Sequence, residues 1–208
     1  GELEGLEDFR LRARAWLEQN MPRHDEGPSW IADDTDRWQH ARDLQRRLFE
    51  GGFAGLCFPK PYAGQGLTPA HQRVFDQETA GYQMPTLLNV PTFGIIGATL
   101  LEFGSEAQKQ RYLPAMLRGD EVWVQFLSEP TGGSDLASVM TLATPTPAGD
   151  AFLLTGSKIW SSGAYAADYG RSLTRTKPWL DLGTRKPNPG FQSVFTSSAP
   201  CLRMWNHR

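Results

Sequence analysis

Cysteine is almost missing from this chain of 208 residues: Cys57 and Cys201 stand alone, with no second Cys or His at metal-ligand spacing. The four histidines, His24, His40, His71 and His207, are scattered singly, so no metal site is expected. Two lone thiols suit a reducing compartment, and a cytoplasmic location is expected. A basic excess is missing too. With 21 Lys and Arg against 23 Asp and Glu the formal net charge is −2, which argues against a nucleic-acid partner. The local cluster from Arg42 to Arg47 alternates with Asp43 and Leu44 and reads as a solvated helix face. The longest apolar stretches read as far short of a membrane span, so no membrane is expected. The acidic, amphipathic opening after Gly1 does not resemble a signal peptide.

What is present is a globular composition. Hydrophobic residues make up 39% and aromatics 11%, enough for one large domain or two small ones with cores of their own. No internal repeat or low-complexity tract occurs.

The first 120 residues read as helical. Leu6, Phe9, Ala13, Trp16 and Leu17 recur at helical spacing and predict a first amphipathic helix that stops before Pro22. A loop over Arg23 to Asp34 follows. Trp38, Ala41, Leu44, Leu48 and Phe49 then mark a second helix, with Gly51-Gly52 able to end it. Phe53 to Leu67, dense in Gly and Pro, predicts an ordered loop. Thr68-Pro69 starts a third helix, running to about Tyr82. Another is predicted after Pro91, with Phe93, Ile96, Leu100 and Phe103 on one side and Gly104 at its end. Ser105 and Gln108 form a capping-box pattern for a helix ending near Leu117.

After Asp120 the period changes to two, with Val122, Val124 and Phe126 alternating with Trp123, Gln125 and Leu127. Strands are predicted there, near Thr141 to Thr144, over Phe152 to Thr155 beyond a Gly149-Asp150 turn, and over Lys158 to Ser161. The expected fold class is α+β: an N-terminal all-α helical domain over 1–120, then a partial antiparallel β-barrel-like domain over 121–208.

Two stretches carry chemistry. Gln125-Phe126-Leu127-Ser128-Glu129-Pro130 runs from a strand into Thr131-Gly132-Gly133-Ser134-Asp135-Leu136, a loop of small residues and hydroxyls that a flat ligand can approach closely. From the residues alone it reads more readily as a turn between strands with Ser134 or Asp135 as a local cap. Gly156-Ser157-Lys158-Ile159-Trp160-Ser161-Ser162-Gly163 sets a Trp beside two hydroxyls, which would flank an aromatic ligand; a Trp there is more often simple core. Together the two stretches suggest a ligand platform without naming the ligand.

The first stretch resembles the acyl-CoA dehydrogenase signature through Ser128-Glu129-Pro130 and Gly133-Ser134-Asp135-Leu136, and the second resembles the family's Gly-x-Lys-x-Trp-x-Thr/Ser pattern through Gly156, Lys158, Trp160 and Ser162. Upstream, Gly52-Phe53-Ala54-Gly55-Leu56, Pro59, Tyr62, Gly64, Gly66 and Leu67 are similar to the family's loop between early helices. Phe103-Gly104-Ser105-Glu106, Gln108, Arg111-Tyr112-Leu113-Pro114 and Gly119-Asp120 are similar to the helix before its β domain. The resemblance covers about residues 35–170, in order.

That resemblance implies an FAD enzyme converting an acyl-CoA thioester to the 2,3-enoyl-CoA, with α-proton removal and β-hydride transfer to flavin N5. It implies that Gln125, Phe126, Leu127 and Ser128 lie along the flavin, with Ser128 bonding the pyrimidine side. Trp160 would pack against the isoalloxazine, with Ser161 and Ser162 donating toward its edge. Ser134 would sit where the flavin phosphates and the acyl-CoA arm come close. Glu129 would be structural rather than a base. An acyl-CoA substrate, an acceptor such as an electron-transfer flavoprotein and a homo-oligomer are further implications. A flavin-dependent monooxygenase or a nitroalkane oxidase on the same scaffold is the alternative enzyme; a non-catalytic remnant acting as a binding module is the alternative of another class.

The pattern departs after Arg171, where Arg171-Ser172-Leu173-Thr174-Arg175-Thr176 replaces the family's apolar strand and a Pro-rich run follows. Only Gly190, Ser193-Val194-Phe195 and Ala199-Pro200 hint at later strands. The family's C-terminal helical domain, which carries the catalytic Glu and builds the oligomer, has no counterpart in the sequence, so a truncated chain without a catalytic residue of its own is expected.

Overall fold

The computed structural model describes residues 3–25, 34–135, 138–149, 151–176 and 191–197, with only the backbone path at 34–35 and 191–197. The chain divides into two compact units, Gly1–Glu121 and Val122–Arg208.

The first unit is helical. Helices α1 (Leu6–Asn20), α2 (Asp34–Glu50) and α3 (Pro69–Glu78) contribute Phe9, Ala13, Leu17, Leu44, Leu48, Val74 and Phe75 to one core, completed by Phe53, Ala54 and Leu56 from the loop after α2. The helical periodicity read from the sequence is the cause: each helix buries one stripe and leaves its charges outside. Rings organise the centre, Phe53 stacking on Phe75 at 5.2 Å between centroids and tilting against Trp16 at 4.8 Å. Helix α3 stops at Glu78, short of the expected Tyr82. Tyr82 is instead buried beside the isolated bridge that pairs it with Arg23.

The next helix begins at Thr86, before Pro91 rather than after it. It runs as α4 (Thr86–Leu88), a π-helical stretch over Asn89–Gly97 and α5 (Ala98–Phe103). A wider turn accommodates Pro91, which has no N–H to donate and whose ring would strike the preceding turn of an α-helix. The same wide turns shift the phase of the buried stripe. Thr92, Ile96, Gly97 and Leu100 face inward while Phe103 is 69% exposed, so the predicted Phe93–Phe103 face is corrected. Thr86–Phe103 is 18 residues with a mean hydropathy of 1.4, long and apolar enough by length and composition to cross a membrane, which corrects the expectation that apolar stretches fall far short. It packs against α2 and α6.

Helix α6 (Glu106–Arg118) opens on the predicted capping box, Ser105 and Gln108 each bonding the other's backbone N–H. Its C-terminal end is met from α2: Gln45 donates to Leu117 O at 2.8 Å, and Arg42 to Asp120 O, two residues past the helix, at 2.9 Å. Arg42 is therefore committed to a helix end, in contrast to the solvated face expected of its cluster.

Among the described residues the second unit forms a five-stranded sheet: β1 (Trp123–Phe126), β2 (Leu142–Pro145), β3 (Phe152–Thr155), β4 (Tyr169–Arg175) and β5 (Phe191–Ser197). The order is β1-β4-β2-β3, with β5 also on β4. Strand β1 pairs parallel with β4 in the register Trp123–Tyr169 to Phe126–Ser172, while β2–β3 and β4–β5 are antiparallel. The sheet is therefore mixed rather than antiparallel, because the crossover from β1 to β4 passes through β2 and β3. No strand forms over Lys158–Ser161: Gly156 at φ +155° and Trp160 at φ +57° break the extended path. The unmatched stretch 171–176 instead contributes most of β4, whose burial alternates residue by residue. Of the hinted late strands, Ser193-Val194-Phe195 lies in β5; Gly190 and Ala199-Pro200 lie outside the described residues.

Gly170 in β4 is set by close approach, since a Cβ there would lie 1.9 Å from the Phe126 ring. Gly170→Ala is expected to cost about 1–3 kcal/mol by overpacking. Urea unfolding checks this: the midpoint should fall, and an unchanged midpoint would mean that Phe126 is free to move aside.

Candidate functional site

The site grows from the point where β1 ends. The chain continues through Leu127 and Ser128 to Glu129, which is 5% exposed. Its carboxylate accepts from Met140 N at 2.6 Å, from both the N–H and the hydroxyl of Thr141, and from Lys158 Nζ at 2.7 Å. Glu129 also exchanges backbone bonds with Gly132, closing the small-residue loop on itself. Burial alone would push the Glu129 pKa up. The Lys158 and Thr141 bonds and the backbone N–H groups of Met140 and Thr141 outweigh it and hold the pKa at about 2.

Lys158 reaches this carboxylate from the other motif. Its ammonium also donates to Leu127 O at 3.1 Å and to Leu173 O of β4 at 2.7 Å, so three acceptors surround one buried cation. One residue on, Ile159 N donates to Ser128 O at 2.9 Å. Gly156 is required beside this knot, because a Cβ would come 2.5 Å from Thr141 Oγ1. The two stretches singled out in the sequence thus meet side by side.

From that anchor the second stretch turns outward. Trp160 sits at φ +57°, a backbone region that a bulky residue seldom adopts, and its side chain is 87% exposed. A large ring left in solvent next to a left-handed backbone residue is able to stack on a flat partner. Beside it, the Ser161 hydroxyl is buried and has no hydrogen-bond partner among the described residues. Ser162 N donates to Trp160 O, closing a tight turn that Gly163 continues at φ +77°.

The candidate residues fall as follows. Gln125, Leu127 and Ser128 lie half-buried along the exit of β1. Phe126, also half-buried, lays its ring over Gly170, so part of its side chain packs on the sheet. Trp160, Ser161 and Ser162 form the neighbouring turn. Ser134 stands apart, exposed on the loop after the Glu129–Gly132 bridge; Leu136 lies outside the described residues. Reading the sequence missed the Glu129–Lys158 pair. Both residues were in view, and the available signal was that each motif carries one buried charge of opposite sign.

The description "Acyl-CoA dehydrogenase, N-terminal domain" fits residues 4–120, more than half of the chain. The chain belongs to the acyl-CoA dehydrogenase family. It is 33% identical over 178 residues to acyl-CoA dehydrogenase IpdE1 of Mycobacterium tuberculosis, covering 84% of this chain and 46% of that protein. Among solved structures it is similar to the Tcur3481-Tcur3483 steroid ACAD (TM-score 0.65, 31% identity, 95% of this chain, 48% of that one). It is also similar to the ChsE4-ChsE5 complex from Mycobacterium tuberculosis (TM-score 0.66, 25% identity, 96% and 48%). The chain spans about half the length of these relatives.

Within this acyl-CoA dehydrogenase chain the exposed indole, the orphaned Ser161 hydroxyl and the half-exposed β1 exit fit a flat heteroaromatic group with hydrogen-bonding edges. Among the described residues no His, Cys, Asp and Glu cluster could hold a metal ion. The helical unit has its own concavity of about 490 Å³, lined by Phe53, Leu56, Phe75, Met84, Phe93 and Leu101 with Asp76 and Gln72 at the polar side.

The Glu129 pKa sets a pH dependence. Its folded value of about 2 lies below the ordinary 4.5, so the stabilisation is present above 4.5 and drains away as pH falls toward 2. The shift corresponds to roughly 3 kcal/mol at neutral pH. Urea midpoints measured at pH 7 and pH 3 should differ strongly for the native chain and much less for Glu129→Gln; equal slopes in both would place the titrating group elsewhere.

Proposed function

We propose that this chain is the flavin-holding part of an FAD-dependent acyl-CoA dehydrogenase that oxidises an acyl-CoA thioester to its 2,3-enoyl-CoA. The observation carrying the reading is Trp160, held 87% exposed at φ +57° beside an unpartnered Ser161 hydroxyl and the β1 exit. When bound, the flavin accepts the β-hydride while the α-proton leaves to a base. The chain's own residues orient that group. Gln125 to Ser128 offer backbone and side-chain polar atoms along one edge, Trp160 covers a ring face, and Ser161 and Ser162 offer hydroxyls at the far edge. Ser134, exposed on the loop and apart from the other candidates, is assigned by this reading to the more polar parts of the cofactor and substrate. Glu129 takes no part as a base: its oxygens are committed to four donors, and a carboxylate titrating at about 2 is too weak to remove an α-proton.

The apolar cavity of the helical unit supports an acyl substrate with a sizeable hydrocarbon part. The word steroid in the name of the Tcur3481-Tcur3483 relative supports a bulky one. Both solved relatives are named as two-component assemblies, which supports a second chain, of the same or another sequence, in the working enzyme. Reduced flavin has to be reoxidised, and an electron-transfer flavoprotein is the acceptor this reading favours.

FAD titration of the purified chain, followed by flavin fluorescence and visible absorbance, tests the proposal. The chain should take up FAD with quenched fluorescence. Trp160→Ala should weaken uptake about tenfold, the scale of one lost aromatic stacking contact. A chain that stays colourless after incubation with FAD would overturn the reading.

A further inference from the structure

Two buried groups at the site have no part in the proposed chemistry, and both lie directly behind the flavin-facing surface. Lys158 and Glu129 leave only 11% and 4% of their side chains exposed and meet at 2.7 Å. Their bonds run to backbone: Lys158 to the carbonyls of Leu127 and Leu173, Glu129 to the N–H groups of Met140 and Thr141. Thr141 O in turn accepts from Arg175 N at 2.8 Å. Four separate segments, the β1 exit, the approach to β2, the turn after β3 and the end of β4, are thereby fastened to one charge pair.

A simple stabilising ion pair does not need this pattern. Burying two charges costs about as much as their attraction returns, and well-packed apolar residues often do as well. What the pair adds is direction. Lys158 is fixed by three acceptors in different directions, and its neighbour Ile159 is locked onto Ser128 O. Positions 158 and 159 are thus both held immediately before Trp160, the left-handed residue.

Building on the FAD reading above, we propose that Lys158 and Glu129 are positioning residues: their buried pair pins the β1 exit and the Ile159–Ser162 turn in register, so that both edges of the flavin surface are formed before any ligand arrives. The flavin is bound by the surface, and the pair determines its geometry. Preorganisation of this kind lets binding free energy go into the complex rather than into ordering a loop.

The test uses the full chain with Lys158→Met, Glu129→Gln and the double variant, and two readouts. The first is amide hydrogen exchange without ligand. Lys158→Met should lose protection at Ile159, Met140 and Thr141, while the paired amides of β1 and β4 keep theirs, which also shows that the sheet is still folded. The second is FAD affinity. Lys158→Met should bind about tenfold or more weakly, as expected when a positioned group is displaced. The double variant removes the unpaired buried charge and should recover thermal stability without recovering FAD affinity. Trp160→Ala should lose affinity with exchange protection intact.

Unchanged protection at Ile159 in Lys158→Met would overturn the proposal. So would a double variant that regains native FAD affinity, because the pair would then only stabilise. If the native chain takes up no FAD, the functional reading fails by itself; exchange at Ile159 still decides whether the pair sets the register.

Discussion

The second unit depends on one buried carboxylate. Glu129 sits at the end of a strand, in a place where an unpaired charge would be costly, and gathers a cation, a hydroxyl and two backbone N–H groups around it. Each donor comes from a different distance along the chain: Met140 and Thr141 about ten residues on, Lys158 nearly thirty. The parallel β1–β4 pair, with a crossover between its strands, is helped by such long-range fasteners, because a parallel pair cannot be joined by a tight hairpin. The small-residue loop closes against Glu129, and the Trp160 turn projects from the residue next to Lys158 but one. The polar knot behind the surface and the exposed ring in front of it are two sides of one arrangement.

The helices were largely legible because their burial is local and periodic. Phe9, Ala13 and Leu17 mark a stripe that needs no tertiary information to read, and Ser105 with Gln108 announces a helix start in four residues. Reading failed where a non-local or non-standard geometry took over. Pro91 looks like a helix boundary; the π-helical stretch over Asn89–Gly97 absorbs it and rotates the buried face away from Phe103. Lys158 to Ser161 alternates like a strand, but Lys158 turns inward to a carboxylate and the backbone reverses at Trp160. The stretch from Arg171 to Arg175 looks too polar for a strand. It forms one because Ser172 and Thr174 are the residues that face inward.

The site was legible as two motifs and illegible as one object. Nothing in the spacing of Ser128-Glu129-Pro130 and Gly156-Ser157-Lys158 states that the acid of one pairs with the base of the other, since the intervening strands decide which turns come together. Ser134 and Phe126 show the opposite difficulty: both sit in the signature, yet one is exposed on the loop and the other spends its ring on Gly170. Family membership rests on firmer ground than any single residue role, because it draws on the whole helical unit. The chain spans about half the length of these relatives, and the proposed flavin surface is argued from residues of this chain alone.

The most direct test of this account is where FAD touches the chain. Amide hydrogen exchange with and without FAD should show added protection concentrated in peptides spanning Gln125–Ser128 and Trp160–Gly163. Protection gained only in the helical unit, or nowhere, would contradict the claim that these two segments form a flavin surface.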